Sequence, residues 1–287
     1  MINKKLILGT VQFGLDYGIN NSLGKPDKEK VFEMLEYAEE EGIKILDTAD
    51  AYGNATQLLG EFNKKKPEIF LYNTKFKAGK QSLHAQLANS RRLLNTLSIN
   101  TYFYHSFDDY TQYPNLKEEL SVLKSEGSIK YVGISIYDNE EFRKAINDPL
   151  IDVIQLPFNV FDNKHQRAAL MSLAKQHGKQ LQLRSVFLQG LFFKQAEELT
   201  GKLKSLRPYL ITLKNIAENY QLDIEHIALL YALQQEEIDY VIIGVDNLNQ
   251  LKNNLSVCRN KLSPDIINEI NQIKVKETEL LYPKNWN

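Results

Sequence analysis

The chain has 287 residues, of which 43% are hydrophobic, enough to bury a large core in one barrel-sized unit. A formal net charge of −1 leaves no global field to attract nucleic acid, anionic lipid or acidic substrates, and the isolated Lys64-Lys65-Lys66 run reads as solvated surface. A lone cysteine, Cys258, excludes an intrachain disulfide framework and points to a reducing compartment.

From the amino terminus, the apolar run in Met1–Gly9 is too short for a secretory signal, and no stretch approaches the ~20 apolar residues of a membrane span. A cytoplasmic protein with no membrane or nucleic-acid partner is expected. Short apolar runs then alternate with segments of helical periodicity. Strands are predicted over Lys5–Gly9, Ile43–Asp47, Ile69–Lys75, Thr101–His105, Lys130–Ser135, Val153–Leu156, Gln180–Arg184 and Asp239–Ile243. Helices are predicted over Lys28–Glu41, Ser82–Leu97, Leu116–Glu126, Asn139–Ile146, Arg167–His177, Leu206–Tyr220, Glu225–Gln234 and Leu248–Val257. Glycine follows a helix at Glu41-Gly42 and His177-Gly178, where a left-handed terminal residue is wanted. Eight strands interleaved with helices predict an α/β fold, a closed parallel (β/α)8 TIM barrel. No linker divides the chain, so residues 1–287 are expected to form one domain. An extra carboxyl-terminal helix is expected near Pro264–Lys276, followed by the tail Tyr282-Pro283-Lys284-Asn285-Trp286.

Several common chemistries lack their signatures. No GxGxxG follows a strand, and Gly24-Lys25 is followed by Pro26 rather than the Ser or Thr of a phosphate-binding loop. The histidines His84, His105, His165, His177 and His226 show no metal-ligand spacing, and no GxSxG elbow is present, so neither a metal site nor a serine hydrolase is expected.

Asp47, Tyr52, Lys75 and His105, in contrast, each sit at or just beyond the end of a predicted strand. If those strands are parallel neighbours, the four side chains gather at one end of the sheet, where α/β proteins place their chemistry. A tyrosine with a pKa near ~10 is a feeble acid, but an adjacent ammonium makes it a better proton donor. Lys75 can supply the ammonium, Asp47 can hold it charged, and His105 can orient a substrate oxygen. A proton delivered to a carbonyl oxygen must be matched by a hydride on carbon, which no side chain provides, so a nicotinamide cofactor is implied.

Asp47-Thr48-Ala49-Asp50-Ala51-Tyr52-Gly53, followed by Lys75 and His105, resembles the aldo-keto reductases. The resemblance extends in family order through Gly9-Thr10, Gly127–Ser135, Gln155, Gln189-Gly190-Leu191 and Ile242–Asn247. It implies NAD(P)H-dependent reduction of an aldehyde or ketone, with Tyr52 as general acid, Lys75, Asp47 and His105 in support, and no metal. It further implies that Ser135 and Gln155 hold the nicotinamide carboxamide, that Gly190 and Leu191 line the pyrophosphate loop, and that Gln250 and Asn254 hold the adenosine end near a helix amino terminus. Gly9, Thr10, Asp47, Arg184, Gly244, Asp246 and Asn247 complete the expected cofactor contacts.

The chain also departs from that pattern. Ile136 stands where most members place asparagine after the serine, and Arg184 stands where an aromatic ring commonly stacks on the nicotinamide. An arginine there brings a fixed charge that suits an anionic substrate group or the pyrophosphate. At the adenosine 2′-phosphate, Gly244 and Gln250 replace the lysine and arginine of many NADPH-specific relatives, and Asp246 would repel a dianion. Relatives resembling this Gly…Gln arrangement still take NADPH through backbone amides, so NADP(H) is expected ahead of NAD(H). Gln12, Tyr17, Phe76, Phe107, Phe158, Arg184 and Trp286, with Asp16 nearby, are the candidate substrate contacts and suit a sugar-derived carbonyl. The Arg184–Leu191 run also resembles relatives associated with surface-polysaccharide sugar synthesis. A cofactor-binding regulatory protein, like the potassium-channel β subunits, and a redox-neutral sugar-modifying enzyme are the alternative readings.

Overall fold

The structure is a computed structural model that describes residues 5–21, 23–79 and 81–286; Met1–Lys4, part of the amino-terminal run considered above, lie outside the described residues. Eight parallel strands close a barrel in sequence order: β1 (Leu6–Gly9), β2 (Ile45–Asp47), β3 (Leu71–Phe76), β4 (Ile99–Tyr104), β5 (Ile129–Ser135), β6 (Val153–Pro157), β7 (Gln180–Arg184) and β8 (Tyr240–Gly244). Closure is made by β8 pairing with β1, with Ile7 opposite Ile242 and Gly9 opposite Gly244.

The α-helices lie in the connections: α1 (Val11–Gly14), α2 (Lys28–Glu40), α3 (Ala55–Lys65), α4 (Leu83–Leu94), α5 (Phe107–Gln112), α6 (Leu116–Ser125), α7 (Asn139–Asn147), α8 (Lys164–Gln176), α9 (Arg207–Tyr220), α10 (Ile224–Leu233), α11 (Leu248–Val257) and α12 (Pro264–Asn271). Their starts follow local chemistry. Asp27, Ser82, Asp138, Asn163, Asn247 and Ser263 each accept a backbone N–H of their own first turn. Gly42 and Gly178 take φ of 84° and 71°, the left-handed geometry that favours glycine after a helix. No helix among the described residues is long and apolar enough to cross a membrane.

Strand alternation sorts the barrel into two environments. Outward residues such as Leu8, Leu46, Tyr72, Tyr102, Ile134, Ile154, Leu183 and Ile243 are buried beneath the helices. Inward residues are apolar in part, with Ile7, Ile45 and Ile242 packed as a separate small cluster. Inward Asn73 donates to Gln182 across the lumen (3.3 Å) and accepts from Asn100 on the neighbouring β4 (2.8 Å). One turn of alternation above this layer, at the carboxyl ends of the strands, come Asp47, Lys75, Ser135, Gln155 and Arg184. Phe103 fills the lumen beneath Lys75, and it needs Gly133 opposite, where a Cβ would stand 2.4 Å from the ring.

A buried charge pair ties the loops of this face together. Arg167 on α8 is 1% exposed and meets both oxygens of Asp162, at 2.8 and 2.7 Å. Its remaining donors reach Asn139 Oδ1 (2.8 Å) and the carbonyl of Tyr137 (2.6 Å), and the Tyr282 hydroxyl also bonds to it. The loops after β5 and β6 and the carboxyl-terminal tail therefore share one guanidinium. Arg167→Leu leaves the Asp162 carboxyl buried without its partner, so stability should fall by about 3–5 kcal/mol. Chemical denaturation checks this, and a loss below about 1 kcal/mol would show the pair to be dispensable.

Candidate active site

Asp47 ends β2, Lys75 lies on β3, and His105 follows β4, so neighbouring parallel strands deliver all three to the same rim. Lys75 is 3% exposed and donates to Asp47 Oδ2 (2.5 Å), to the Thr48 carbonyl (3.1 Å) and to the Tyr52 side chain. Its ammonium also lies 5.3 Å from the Tyr52 ring centroid. Burial works against this charge, but Asp47 and Tyr52 outweigh it and hold the lysine above its ordinary range. The other Asp47 oxygen accepts from Gln155 Nε2 (3.0 Å) across the barrel.

Tyr52 reaches the group from a turn rather than a strand. Its N–H donates to Ala49 O and its carbonyl accepts from Ala55 N at the start of α3. Gly14 presses on this turn: a Cβ there would stand 1.8 Å from the Tyr52 carbonyl oxygen. Gly53, at φ 54°, packs against Gly14 from the other side. The close approach of α1 to the Tyr52 turn thus sets the height of the phenol above Lys75.

These side chains occupy one end of a cavity of about 810 Å³ that runs to Gly244, Asp246, Gln250 and Asn254 at the start of α11. Gly9, Thr10, Gln12, Tyr17, Ser135, Gln155, Arg184 and Gly190 line it between those ends. The loop after β7 crosses the mouth in left-handed geometry, with Leu188, Gln189 and Gly190 at φ 44°, 52° and 89°. It meets the loop after β1, where Ile19 N donates to Gln189 O (3.0 Å) and Gln189 Nε2 donates to Tyr17 Oη (2.8 Å).

Arg184 donates to Ile136 O (3.0 Å) and Ser185 Oγ (3.2 Å), and its guanidinium lies 4.4 Å from the Tyr137 ring centroid. The backbone carbonyl of the residue that departs from the family pattern thus anchors the other departing residue. Lys284 from the tail also lies over Tyr137, at 4.3 Å.

Six expected contacts do not line the cavity. Phe76 and Phe158 follow inward-facing positions, so alternation turns them toward the helices; Phe76 packs on Tyr102 and Tyr104, and Phe158 stacks on Tyr231. Phe107 opens α5 and packs on Tyr110 in the core. Trp286 donates its indole N–H to Leu280 O (2.7 Å) along the tail, leaving Pro283 and Lys284 at the mouth. Leu191 is fully buried behind the β7 loop, and Asn247 spends its side chain capping α11. Tyr137, Phe187, Phe193, Glu225 and Lys284 line the cavity without having been singled out; Glu225 sits in the first turn of α10, and the other four lie in loops or the tail, where no periodicity marks a facing.

Residues 5–275 match the Aldo/keto reductase family. The chain belongs to it. Membership brings oxidoreductase chemistry on a small-molecule carbonyl with a nicotinamide cofactor. The chain is 25% identical to an aryl-alcohol dehydrogenase of Pestalotiopsis microspora, over 92% of this chain and 77% of that protein. It is 24% identical to the putative aryl-alcohol dehydrogenase AAD14 of Saccharomyces cerevisiae, over 93% of this chain and 82% of that one. Among solved structures, the holo form of the aldo-keto reductase AKR11C1 from Bacillus halodurans superposes with a TM-score of 0.76 at 22% identity, covering 96% of this chain and 94% of its own. The glycerol dehydrogenase AKR11B4 from Gluconobacter oxydans follows at 0.74 and 19%, covering 94% and 90%. These relatives lend no support to the association with surface-polysaccharide sugar synthesis.

His105 lies against the same lysine, and its own protonation is suppressed. Burial, then the Lys75 charge, push its pKa from 6.5 down to about 4. Between those values the unfolded chain binds a proton at this site that the folded chain refuses, so folding weakens as pH falls from about 6.5 to about 4. Denaturation at pH 7 and pH 5 should show His105→Gln losing less stability on acidification than the unsubstituted protein. Equal losses would mean that His105 titrates freely in the folded state.

Proposed function

We propose that this protein reduces an aldehyde or ketone to an alcohol with Tyr52 as general acid. The observation that carries this reading is the buried Lys75 ammonium, held by Asp47 and directed at the Tyr52 side chain in a cavity of about 810 Å³ that extends to the start of α11. The cofactor would supply the hydride. The cavity fits such a ligand in its own chemistry: Gly9, Gly190 and Gly244 keep its wall low, and Gln12 Oε1, Asp246 Oδ1 and Asn254 Oδ1 are buried acceptors with no protein partner.

A carbonyl oxygen placed between Tyr52 and His105 gathers electron density as the carbon is reduced. Lys75 stabilises the tyrosinate left behind when the phenolic proton moves to that oxygen. Asp47 keeps Lys75 charged throughout, and Gln155 keeps Asp47 oriented. Neutral His105 directs a hydrogen bond without competing as an acid. Ser135, beside Gln155 in the register of β5 and β6, is the further candidate for the carboxamide.

Tyr52→Phe should bind cofactor normally but lower kcat by about 10²–10⁴, and Lys75→Met should do comparable damage. Steady-state rates over a panel of aromatic, aliphatic and sugar-derived aldehydes and ketones check this. Near-normal turnover by Tyr52→Phe would remove it from the acid role.

Arg184 gives the substrate end a fixed positive charge, which favours carbonyl compounds bearing a carboxylate or phosphate. Arg184→Gln should weaken such substrates by about 1.5–3 kcal/mol in kcat/KM and neutral ones much less. Equal effects on acidic and neutral substrates would assign the guanidinium to holding Ile136 and Tyr137 alone.

A further inference from the structure

A second cavity of about 410 Å³ lies among the loops after β2, β3 and β4, lined by Asp50, Lys77, Gln81, Gln86, Ser106 and Asp109. Lys75 and His105 line it as well as the main cavity, so the His105 imidazole stands between the two. Neither ring nitrogen is hydrogen-bonded to a described residue, and neither is sealed from the cavities. A neutral imidazole carries one donor nitrogen and one acceptor nitrogen. To assist a carbonyl oxygen that gains electron density, the nitrogen facing the main cavity must be the donor. The other must then be the acceptor, and it needs a hydrogen from the second cavity.

Most donors on that second lining are already committed. Ser106 Oγ donates to Asp109 Oδ2 (3.0 Å), and Asp50 Oδ1 accepts from Ser90 Oγ (3.1 Å). Buried Gln86 spends both ends of its amide on the loop after β3: Oε1 accepts from Lys77 N (3.2 Å), while Nε2 donates to Lys77 O (3.0 Å) and Gln81 O (3.0 Å). This bracket fixes the Lys77 backbone from both sides, and the Lys77 ammonium forms no ion pair with a described residue. The donors left are that ammonium and the neutral amide of Gln81. The ring also feels the Lys77 charge. Burial does most to keep His105 neutral and the Lys75 charge comes next; Asp47 opposes them, while Lys77 and Arg184 add smaller pushes toward the neutral form. The carboxyl groups of Asp50 and Asp109 complete the ionisable groups of the second cavity.

We propose that Lys77 is a positioning residue for the reduction: from the second cavity its ammonium, directly or through one water molecule, donates the hydrogen bond that fixes the His105 tautomer and turns the other ring N–H toward the substrate oxygen. The inference rests on the reductase reading above. A lysine suits this position because an ammonium donates and never accepts, so it cannot support the reversed tautomer. Its charge also opposes a second proton on the ring. A carboxylate in its place would do the reverse, accepting from the ring, turning the N–H away from the substrate and favouring the imidazolium.

Nitrogen NMR of the protein labelled at its histidine rings tests the proposal, with His105→Gln identifying the His105 signals. At pH 7 the unsubstituted protein should show one His105 tautomer, with one nitrogen protonated and the other bare. Lys77→Met should mix the two tautomers and raise the titration midpoint of the ring from about 4 by roughly half a unit or more. Lys77→Gln keeps a donor without the charge, so it should raise the midpoint similarly but mix the tautomers less. Lys77→Arg should restore both. In steady-state reduction Lys77→Met should lower kcat by about five- to tenfold with little change in KM, and the acid limb of kcat/KM should move up with the NMR midpoint. A thermal melt of each variant establishes that it is folded.

An unchanged tautomer and midpoint in Lys77→Met overturns the role of Lys77, whatever happens to the rate. Tautomer mixing in Gln81→Ala but not in Lys77→Met overturns it in favour of Gln81. A rate loss that Lys77→Arg does not restore, beside unchanged NMR signals, marks a structural effect and overturns it too. If the unsubstituted protein reduces no carbonyl with either NADH or NADPH, the reductase reading falls and the purpose assigned to Lys77 falls with it, while the NMR signals still report whether Lys77 fixes the ring.

Discussion

A lysine that is 3% exposed and still positively charged is the constraint around which the mouth of this barrel is built. Taking an ammonium out of water costs several kcal/mol even after relaxation. The cost is offset only if carboxylate, carbonyl and hydroxyl oxygens converge on it. Asp47, Thr48 and Tyr52 supply those oxygens from β2 and the connection after it, and Gln155 fixes the free carboxylate oxygen from the opposite wall. A parallel barrel is suited to this task, because every strand ends on the same rim and neighbouring strands can each contribute one inward residue.

The rim holds the polar groups, but the connections decide where they meet. Tyr52 is placed by the contact of Gly14 with its turn, a contact so close that no side chain fits at either glycine. Arg167 and Asp162 draw the loops after β5 and β6 and the tail toward one buried point, and that arrangement presents Tyr137 to Arg184 and Lys284. The two ion pairs differ in setting. One faces the cavity, and the other is sealed behind it.

The barrel was legible in the sequence because alternation of apolar runs and helical periodicity is repeated along the chain. All eight expected strands overlap observed ones, with ends moving by up to two residues. The four residues from Asp47 to His105 were legible for the same reason: strand ends in a parallel sheet converge whatever lies between them. α3 was not among the predicted helices, although the Lys64–Lys66 run falls at its carboxyl end, where basic residues suit a helix terminus. Phe76 and Phe158 were misassigned although the signal was present. Once Lys75 faces inward, the next residue must face outward, and alternation carries more weight than an aromatic side chain's suitability for a ligand. Lys284 and Tyr137 left no such signal, because the tail and the β5 loop are held by tertiary bonds to Arg167.

The same electric field acts in opposite senses on two neighbours, and this separates their roles. Lys75 is held above its ordinary range because Asp47 and Tyr52 favour its charge over the cost of burial, whereas His105 is driven down to about 4 by burial and by that charge. A site with two protonated bases would place two positive charges against a carbonyl and lose the directionality of a single donor. With His105 neutral, one ring nitrogen can carry its hydrogen toward a substrate oxygen while the proton to be transferred stays on Tyr52. The charge that would stabilise the resulting phenolate is already in place on Lys75, so the pocket need not reorganise when the proton moves. The buried ion pair that makes the rim costly to fold is, on the reductase reading, the group that makes its tyrosine an acid.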